Sequence, residues 1–354
     1  MAVPTPDFSR LRRVLLREGE PDRVPFFEVL VDPEIMAAVM GEALPAPGGG
    51  KAGAEVFDRL AVDFFLRQGY DYVPVWPEIP LPLSDLGRCE DTAGTGRSHR
   101  LWRDQNQGMI HDWRSFYSYP WPAGEEIDYG SLERRSLLLP EGMLMCAGWS
   151  GVFEHALWLM GHQTLALTIY DDPSLVEAVF ERIGRLAVAA YTAMAGMEEV
   201  GALFHADDLG FKTSTVLSPE HLRRLVFPWH RELARVAHER GKPFILHSCG
   251  NLEAVMPDLI DEVRIDARHS YEDAILPVAE AKRRHGGRIA VLGGVDMDFI
   301  CRRSEEEVRA YVRRILSACA PGGGYALGTG NSVANYVPLR NYLAMLDEGR
   351  RYGR

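Results

Sequence analysis

From Glu141 onward, short apolar runs alternate with longer stretches whose apolar residues recur every three or four positions. The short runs read as strands buried on both faces, the longer ones as helices with one apolar side. Strands are expected at Met143–Ala147, Val200–Phe204, Pro243–Leu246, Arg264–Ala267, Ile289–Leu292 and Tyr325–Leu327. Asp171-Asp172-Pro173 opens a long helix with Leu175, Val176, Val179, Phe180, Ile183, Leu186 and Met194 inward. Ser218-Pro219-Glu220 supplies an N-cap, a proline where no N–H is needed and an acid in the first turn. Apolar residues at 222, 225, 226, 229, 233 and 236 continue that helix. Further helices are expected over Leu252–Val263, up to His285, over Ser304–Cys319 and from Pro338.

The first third repeats the pattern. A helix over Asp7–Glu18 precedes a strand at Val24–Leu30, Asp32-Pro33 opens another helix, and Gly69–Trp76 reads as a second strand. About eight strand–helix units demand parallel strands with right-handed crossovers and fit a (β/α)8 TIM barrel of class α/β. Residues 1–354 then form a single domain. The span near 80–140 breaks the rhythm: two aromatic-flanked pieces around Gln105-Asn106-Gln107-Gly108 predict a β-hairpin insertion. Such an insertion serves either as a lid or substrate loop, or as surface packing.

Composition narrows the partners. A formal net charge of −11 argues against nucleic acid or an anionic membrane surface. Five scattered cysteines in 354 residues do not make a disulfide framework and fit a reducing cytoplasm. The first residues lack the continuous apolar stretch of a secretory signal, and no apolar run approaches membrane-spanning length. The pattern leaves the oligomeric state open; a homodimer is compatible with it.

In a barrel of this kind, chemistry gathers where the strands end. The polar residues just after each apolar run are therefore the candidates for binding a small-molecule substrate: Glu28, Trp76, Glu78, Trp149, His205, His269, Asp296, Thr329 and Asn331. Asp207, Asp208 and Glu154 are the candidate catalytic carboxylates. None of the candidates is a lysine, which argues against a Schiff base. His247 and Cys249 stand two apart at one strand end, so an imidazole and a thiol project to the same side. Both suit a borderline-soft ion such as zinc; a buried thiol and a hydrogen-bonded core histidine are the alternative. A catalytic zinc needs a third protein ligand, for which Asp207 is the first choice, ahead of His205, Asp208 and Glu154.

Several motifs resemble the uroporphyrinogen decarboxylase superfamily. They are EPDRVPF at 20–26, FE at 153–154, LMG at 159–161, DDLGF at 207–211, SPEHLRRLVFPWHREL at 218–233, HSCGN at 247–251, LGGVD at 292–296 and GGGYALGTGNS at 322–332. The resemblance implies the same barrel fold. It also implies one of two activities, porphyrinogen decarboxylation or cobalamin-dependent methylation of a thiol such as coenzyme M. True decarboxylases carry an arginine-rich segment after the first strand, where this chain has FFEVLVDPEIM, and a histidine in the last-strand motif, where it has Thr329. The pair at 247 and 249 resembles the zinc motif of the methyltransferase branch, which usually adds a cysteine near the last strand; Thr329 takes its place. The expectation is therefore a zinc-dependent methyltransferase acting between a corrinoid, such as methylcobalamin or a corrinoid protein, and a thiol. A carboxy-lyase and a non-catalytic corrinoid- or ligand-binding member are the alternatives.

Overall fold

The computed structural model describes residues 5–43, 50–83, 87–90, 99–102, 106 and 108–352. Its framework is a parallel sheet of seven strands in the order β1 (Tyr72–Val75), β4 (Leu144–Ser150), β5 (Val200–Ala206), β6 (Phe244–His247), β7 (Ala267–His269), β8 (Ala290–Leu292) and β9 (Tyr325–Ala326). A separate antiparallel pair joins β2 (Gly87–Glu90) to β3 (His99–Trp102). Strands that neighbour in sequence neighbour in space, with helices between them, as right-handed βαβ winding requires.

The segment expected as the first strand is extended but hardly laddered. It bridges β9 in parallel at Phe26–Leu327 and meets the following loop at Val31–Val333. Pro25 has no N–H to give. Toward β1 a side chain replaces the ladder: the Tyr72 hydroxyl accepts from Glu28 N at 2.8 Å and donates to Glu28 O at 2.5 Å. Val24–Val31 thus stands between β9 and β1, and the architecture is TIM-barrel-like.

One expectation shifts. The strand predicted at Arg264–Ala267 runs instead over Ala267–His269, because Arg264 adopts a left-handed φ of 66° that ends the preceding helical turn. Among the described residues of the inserted span, the antiparallel pair is Gly87–Glu90 with His99–Trp102, and the hairpin expected about 105–108 falls largely outside them. Gln105 and Gln107 lie outside the described residues. Gly108 packs so tightly on the Met160 backbone that a Cβ there would come within 2.0 Å of Met160 C, and the chain then enters a short helix at Trp113–Ser118.

Helix ends follow local chemistry. Ser218 Oγ accepts from His221 N at 3.2 Å. The helix it opens carries a π turn over Leu222–Val226 before Pro228, whose missing N–H cannot continue the regular ladder. The long helix Pro173–Gly196 is capped by Asp172, Oδ1 accepting from Leu175 N at 3.2 Å. Among the described residues, no helix is long and apolar enough to cross a membrane.

Candidate metal centre

His247 is the last residue of β6, and Cys249 lies just beyond it. Cys249 Sγ is 3.6 Å from His247 Nε2, and Asp208 Oδ1 is 3.6 Å from the same nitrogen. Asp208 reaches this position because its Oδ1 also accepts from Cys249 N at 2.8 Å, tying the turn after β5 to the turn after β6. The three ligand atoms lie within 4.8 Å of one another. A tetrahedral ion with zinc's bond lengths to nitrogen, oxygen and sulfur needs ligand–ligand edges of roughly 3.3–3.8 Å.

The proton positions can be worked out along the chain of bonds behind His247. His269 Nε2 is 3.0 Å from the Thr329 carbonyl oxygen, which can only accept, so Nε2 carries a proton. Burial holds His269 well below the ordinary imidazole range, hence neutral, and its Nδ1 is a bare lone pair. That lone pair faces His247 Nδ1 at 2.7 Å, so His247 donates there. Burial, with the Arg268 charge adding to it, pushes His247 down to about 4, so it too is neutral at pH 7. Its Nε2 is left unprotonated beside the thiol and the carboxylate. A metal-ligating histidine is set in this way, by what its other nitrogen does.

The thiol is held protonated without a cation. Burial, then the Asp208 charge, raise its pKa well above the usual value. The sulfur also has two neighbouring donors, Asn331 Nδ2 at 3.3 Å and Ser270 Oγ at 4.0 Å. A neutral imidazole lone pair, a carboxylate and a hydrogen-bonded sulfur form a donor set that fits zinc.

Asp207, the first choice for a third ligand, faces elsewhere. Its oxygens accept from Phe153 N at 3.1 Å and Glu154 N at 3.0 Å, capping the helix Val152–Met160, and His230 Nε2 donates to it at 2.7 Å. Burial alone would raise its pKa, yet the His205 and His230 imidazoles bring it below the ordinary carboxylate range. It is a buried capping anion grouped with His205 and His230, and the carboxylate that gathers with His247 and Cys249 is Asp208. The helix it caps begins at Gly151 because a Cβ there would lie 1.8 Å from Asp207 Oδ1.

Strand register explains which other candidates gather. Ala206 pairs with His247 and His247 with His269, so these three share the inner face. His205 pairs with Leu246 and Trp149 pairs with His205, one residue out of phase, so both turn toward the helices. His205 Nδ1 lies 2.9 Å from the Tyr191 hydroxyl, and Trp149 packs on His155 with ring centroids 4.2 Å apart. Both therefore pack against helices rather than beside His247. Glu78 is exposed, and its backbone pairs with Asp128. Trp76 is half-buried just past β1, its carbonyl accepting from Ser131 Oγ at 2.7 Å.

The remaining candidates sit behind or beside the cluster. Thr329 Oγ1 lies 2.7 Å from the Asn331 carbonyl and 2.5 Å from Glu28 Oε2. The hydroxyl proton is shared between these two acceptors, and Thr329 N also donates to Glu28 Oε1 at 2.8 Å. Burial raises Glu28 to about 8, against the lowering effect of the Thr329 hydrogen bonds. Glu154 is pushed to about 9, first by burial and then by the charges of Asp207 and Asp208. Asp296 caps Phe299 N at 3.0 Å and accepts from Asp273 N at 2.9 Å. With Asn331, Lys212, Glu272 and Tyr336 it lines a cleft of about 1000 Å³. Asn331 is the link: it borders the cleft and donates to the Cys249 sulfur. His230 and Tyr191 escaped the sequence reading. His230 was detectable as a histidine three residues before Leu233 and three after Phe227 on one buried helix face.

The comparisons agree with this architecture. Residues 134–352 match the uroporphyrinogen decarboxylase (URO-D) family. A methylated-thiol–coenzyme M methyltransferase of Methanosarcina mazei is 28% identical over 193 residues, 54% of this chain and 49% of that protein. A uroporphyrinogen decarboxylase of Thioalkalivibrio sulfidiphilus is 26% identical over 191 residues, 52% of this chain and 51% of its own. The chain thus spans about half the length of these curated relatives. The solved structure of a methyltransferase from Methanosarcina mazei superposes with a TM-score of 0.70 at 17% identity, covering 98% of both chains, which is a likeness of fold. With the family match covering well over half its length, the chain belongs to the uroporphyrinogen decarboxylase family.

Proposed function

We propose that this family member is a zinc-dependent methyltransferase that moves a methyl group between a corrinoid and a thiol or similar acceptor. One observation carries the reading: His247 Nε2, bare of its proton, is 3.6 Å from both the Cys249 sulfur and Asp208 Oδ1. When bound there, zinc supplies Lewis acidity that lowers the pKa of a ligated thiol and keeps it as thiolate. His247, Cys249 and Asp208 would hold the ion. The His269–Thr329 chain fixes the His247 ring. Asn331 orients the sulfur and borders the cleft through which a substrate would arrive. Glu154, protonated at neutral pH, adds no further negative charge beside Asp207 and Asp208. In this reading residues 1–354 act as one barrel domain, the 80–140 span borders its mouth as a lid, and a corrinoid protein is the natural partner.

The test is metal content per purified chain, with loss of methylcobalamin absorbance on adding a thiol as the activity readout. Zinc near one per chain is expected in the wild type and in Asp207→Asn, and a large loss in Cys249→Ala and Asp208→Asn. Undiminished zinc in Cys249→Ala removes the mechanism. The decarboxylase relatives favour a second reading, a metal-independent carboxy-lyase, to which CO₂ release surviving chelation would be decisive. A spectral shift of methylcobalamin without methyl loss would point instead to a non-catalytic binder.

A further inference from the structure

The cleft that Asn331 joins to the metal centre has charged walls, and most of those charges are engaged. Asp298 pairs with Arg302 at 2.7 Å, and Arg303 faces Glu307 at 3.9 Å and lies over the Phe299 ring. Asp273 accepts from the Tyr311 hydroxyl at 2.7 Å, and Asp296 accepts from the backbone N–H groups of Phe299 and Asp273. Two charges of opposite sign are left. The side chains of Lys212 and Glu272 have neither an ion pair nor a hydrogen bond among the described residues. They flank the turn that bears Cys249. Half-buried Glu272 follows β7, just after Ser270, whose Oγ is 4.0 Å from the Cys249 sulfur. Burial and the Asp208 charge raise the Cys249 thiol, and the Glu272 charge adds to them, so this carboxylate is within electrostatic reach of the sulfur. Exposed Lys212 lies on the other side, in a tight turn after β5. That turn is closed by Phe211 N donating to Ser214 O at 2.7 Å, and it is latched to the Cys249 turn by Asn251 N donating to Phe211 O at 2.7 Å.

A free ammonium and a free carboxylate on the two sides of one site complement a ligand that carries the reverse pair. Resting on the methyltransferase reading, we propose that the thiol taken up here is an α-amino-acid thiol of the cysteine and homocysteine class. Its carboxylate is directed to Lys212, its ammonium to Glu272, and its sulfur to the centre formed by His247, Cys249 and Asp208. A thiol bearing an acid alone would use Lys212 and bring a second anion near half-buried Glu272. An uncharged thiol would use neither residue. The cleft, about 1000 Å³, is larger than an amino acid needs, which leaves space for the methyl-bearing reactant.

The test is calorimetric titration of the zinc-loaded full chain, with a phosphine as reductant and no methyl donor present. The tighter binder of L-cysteine and L-homocysteine is compared with its analogue lacking the ammonium, 3-mercaptopropionate or 4-mercaptobutyrate. It is also compared with its analogue lacking the carboxylate, cysteamine or 3-aminopropanethiol. The amino acid is expected to bind about tenfold or more tighter than either, the size of a charge-assisted bond. Glu272→Gln should erase the advantage over the ammonium-free acid without weakening that acid. Lys212→Met should erase the advantage over the carboxylate-free amine. Equal binding of the amino acid and its ammonium-free analogue overturns the proposal. So does an advantage that survives both substitutions, or a failure of every one of these thiols to bind. L-2-Aminobutyrate, which has no sulfur, reads the charge pair alone, and in Cys249→Ala its weaker binding should still depend on Glu272 and Lys212. That dependence in a wild type without zinc would sink the metal reading and uphold the charge pair. Zinc near one per chain with no selectivity among the thiols would sink this inference alone.

Discussion

Single side chains in this protein are set by what they can donate and accept. Glu28 is the clearest case. Burial raises its carboxyl to about 8, even though the Thr329 hydroxyl and backbone N–H both donate to it. The folded state therefore keeps a proton that an exposed chain would lose near the ordinary carboxyl value of 4.5. The stabilisation is fully present below that value and is lost as pH rises toward 8, with a slope approaching 1.4 kcal/mol per pH unit, an order-of-magnitude figure. Glu28→Gln, which keeps the shape and a donor, should flatten this fall; denaturant midpoints between pH 5 and 8 measure it. A slope unchanged by the substitution would mean that Glu28 is not the titrating group. Asp207 illustrates the opposite sign. Three donors converge on a buried carboxylate, and charge-assisted bonds of this kind contribute about 1.5–3 kcal/mol each. Asp207→Asn should lower stability by about 3 kcal/mol or more while zinc content holds, since Asp207 is not among the proposed ligands. Urea unfolding beside a metal assay separates those two outcomes.

At the scale of elements, the candidate centre depends on two turns that close on each other. Gly250 has φ +85°, and a Cβ on it would fall 2.2 Å from Gly210 C and O. Gly210 in turn lies so close that its own Cβ would meet Asn251 N at 2.8 Å. The contact brings Asp208, after β5, to Cys249, after β6. Gly250→Ala is strained in backbone and in space, so it should push the turns apart and reduce zinc binding more than it lowers helix content. Circular dichroism unchanged and zinc unchanged together would show that the close approach is not needed. The helix Val152–Met160 has the same dependence on a missing Cβ. Gly151→Ala would drive into Asp207 Oδ1, and its expected effect is loss of stability without loss of the His247–Cys249 pair.

For the whole molecule, metal binding and folding are linked. A ligand that binds only the folded chain stabilises it by about 2.7 kcal/mol at a hundredfold excess over Kd. If the centre holds zinc, a chelator should lower the melting temperature of the wild type by several degrees and leave Cys249→Ala unmoved. Equal shifts in both would place the metal elsewhere. The ring around the centre is also held from outside the sheet. Buried Asp71 receives both Arg10 and Arg23, which ties the first helix, Phe8–Leu15, to the residue just before β1. The same region holds the weakest stretch of the ring, where Val24–Val31 meets β1 through the Tyr72 hydroxyl rather than through a ladder.

The order of strands and helices was readable along the chain, because buried parallel strands need apolar runs and their crossovers need a 3.6-residue stripe. So was the pairing of His247 with Cys249, since two residues apart on a strand is one side whatever the surroundings. Which carboxylate joins that pair was not. Asp207 and Asp208 are adjacent acids in the chain, and only the register of β5 against β6 and the glycine contact at 210 and 250 send one to cap a helix and the other to the sulfur. The same register turned His205 and Trp149 toward the helices: a half-period shift in a strand reverses every side chain, and no local pattern fixes that phase when both faces are buried. Protonation was decided last, by burial and by partners far apart in the chain, as with Glu28 and Thr329, 301 positions apart and 2.5 Å from each other.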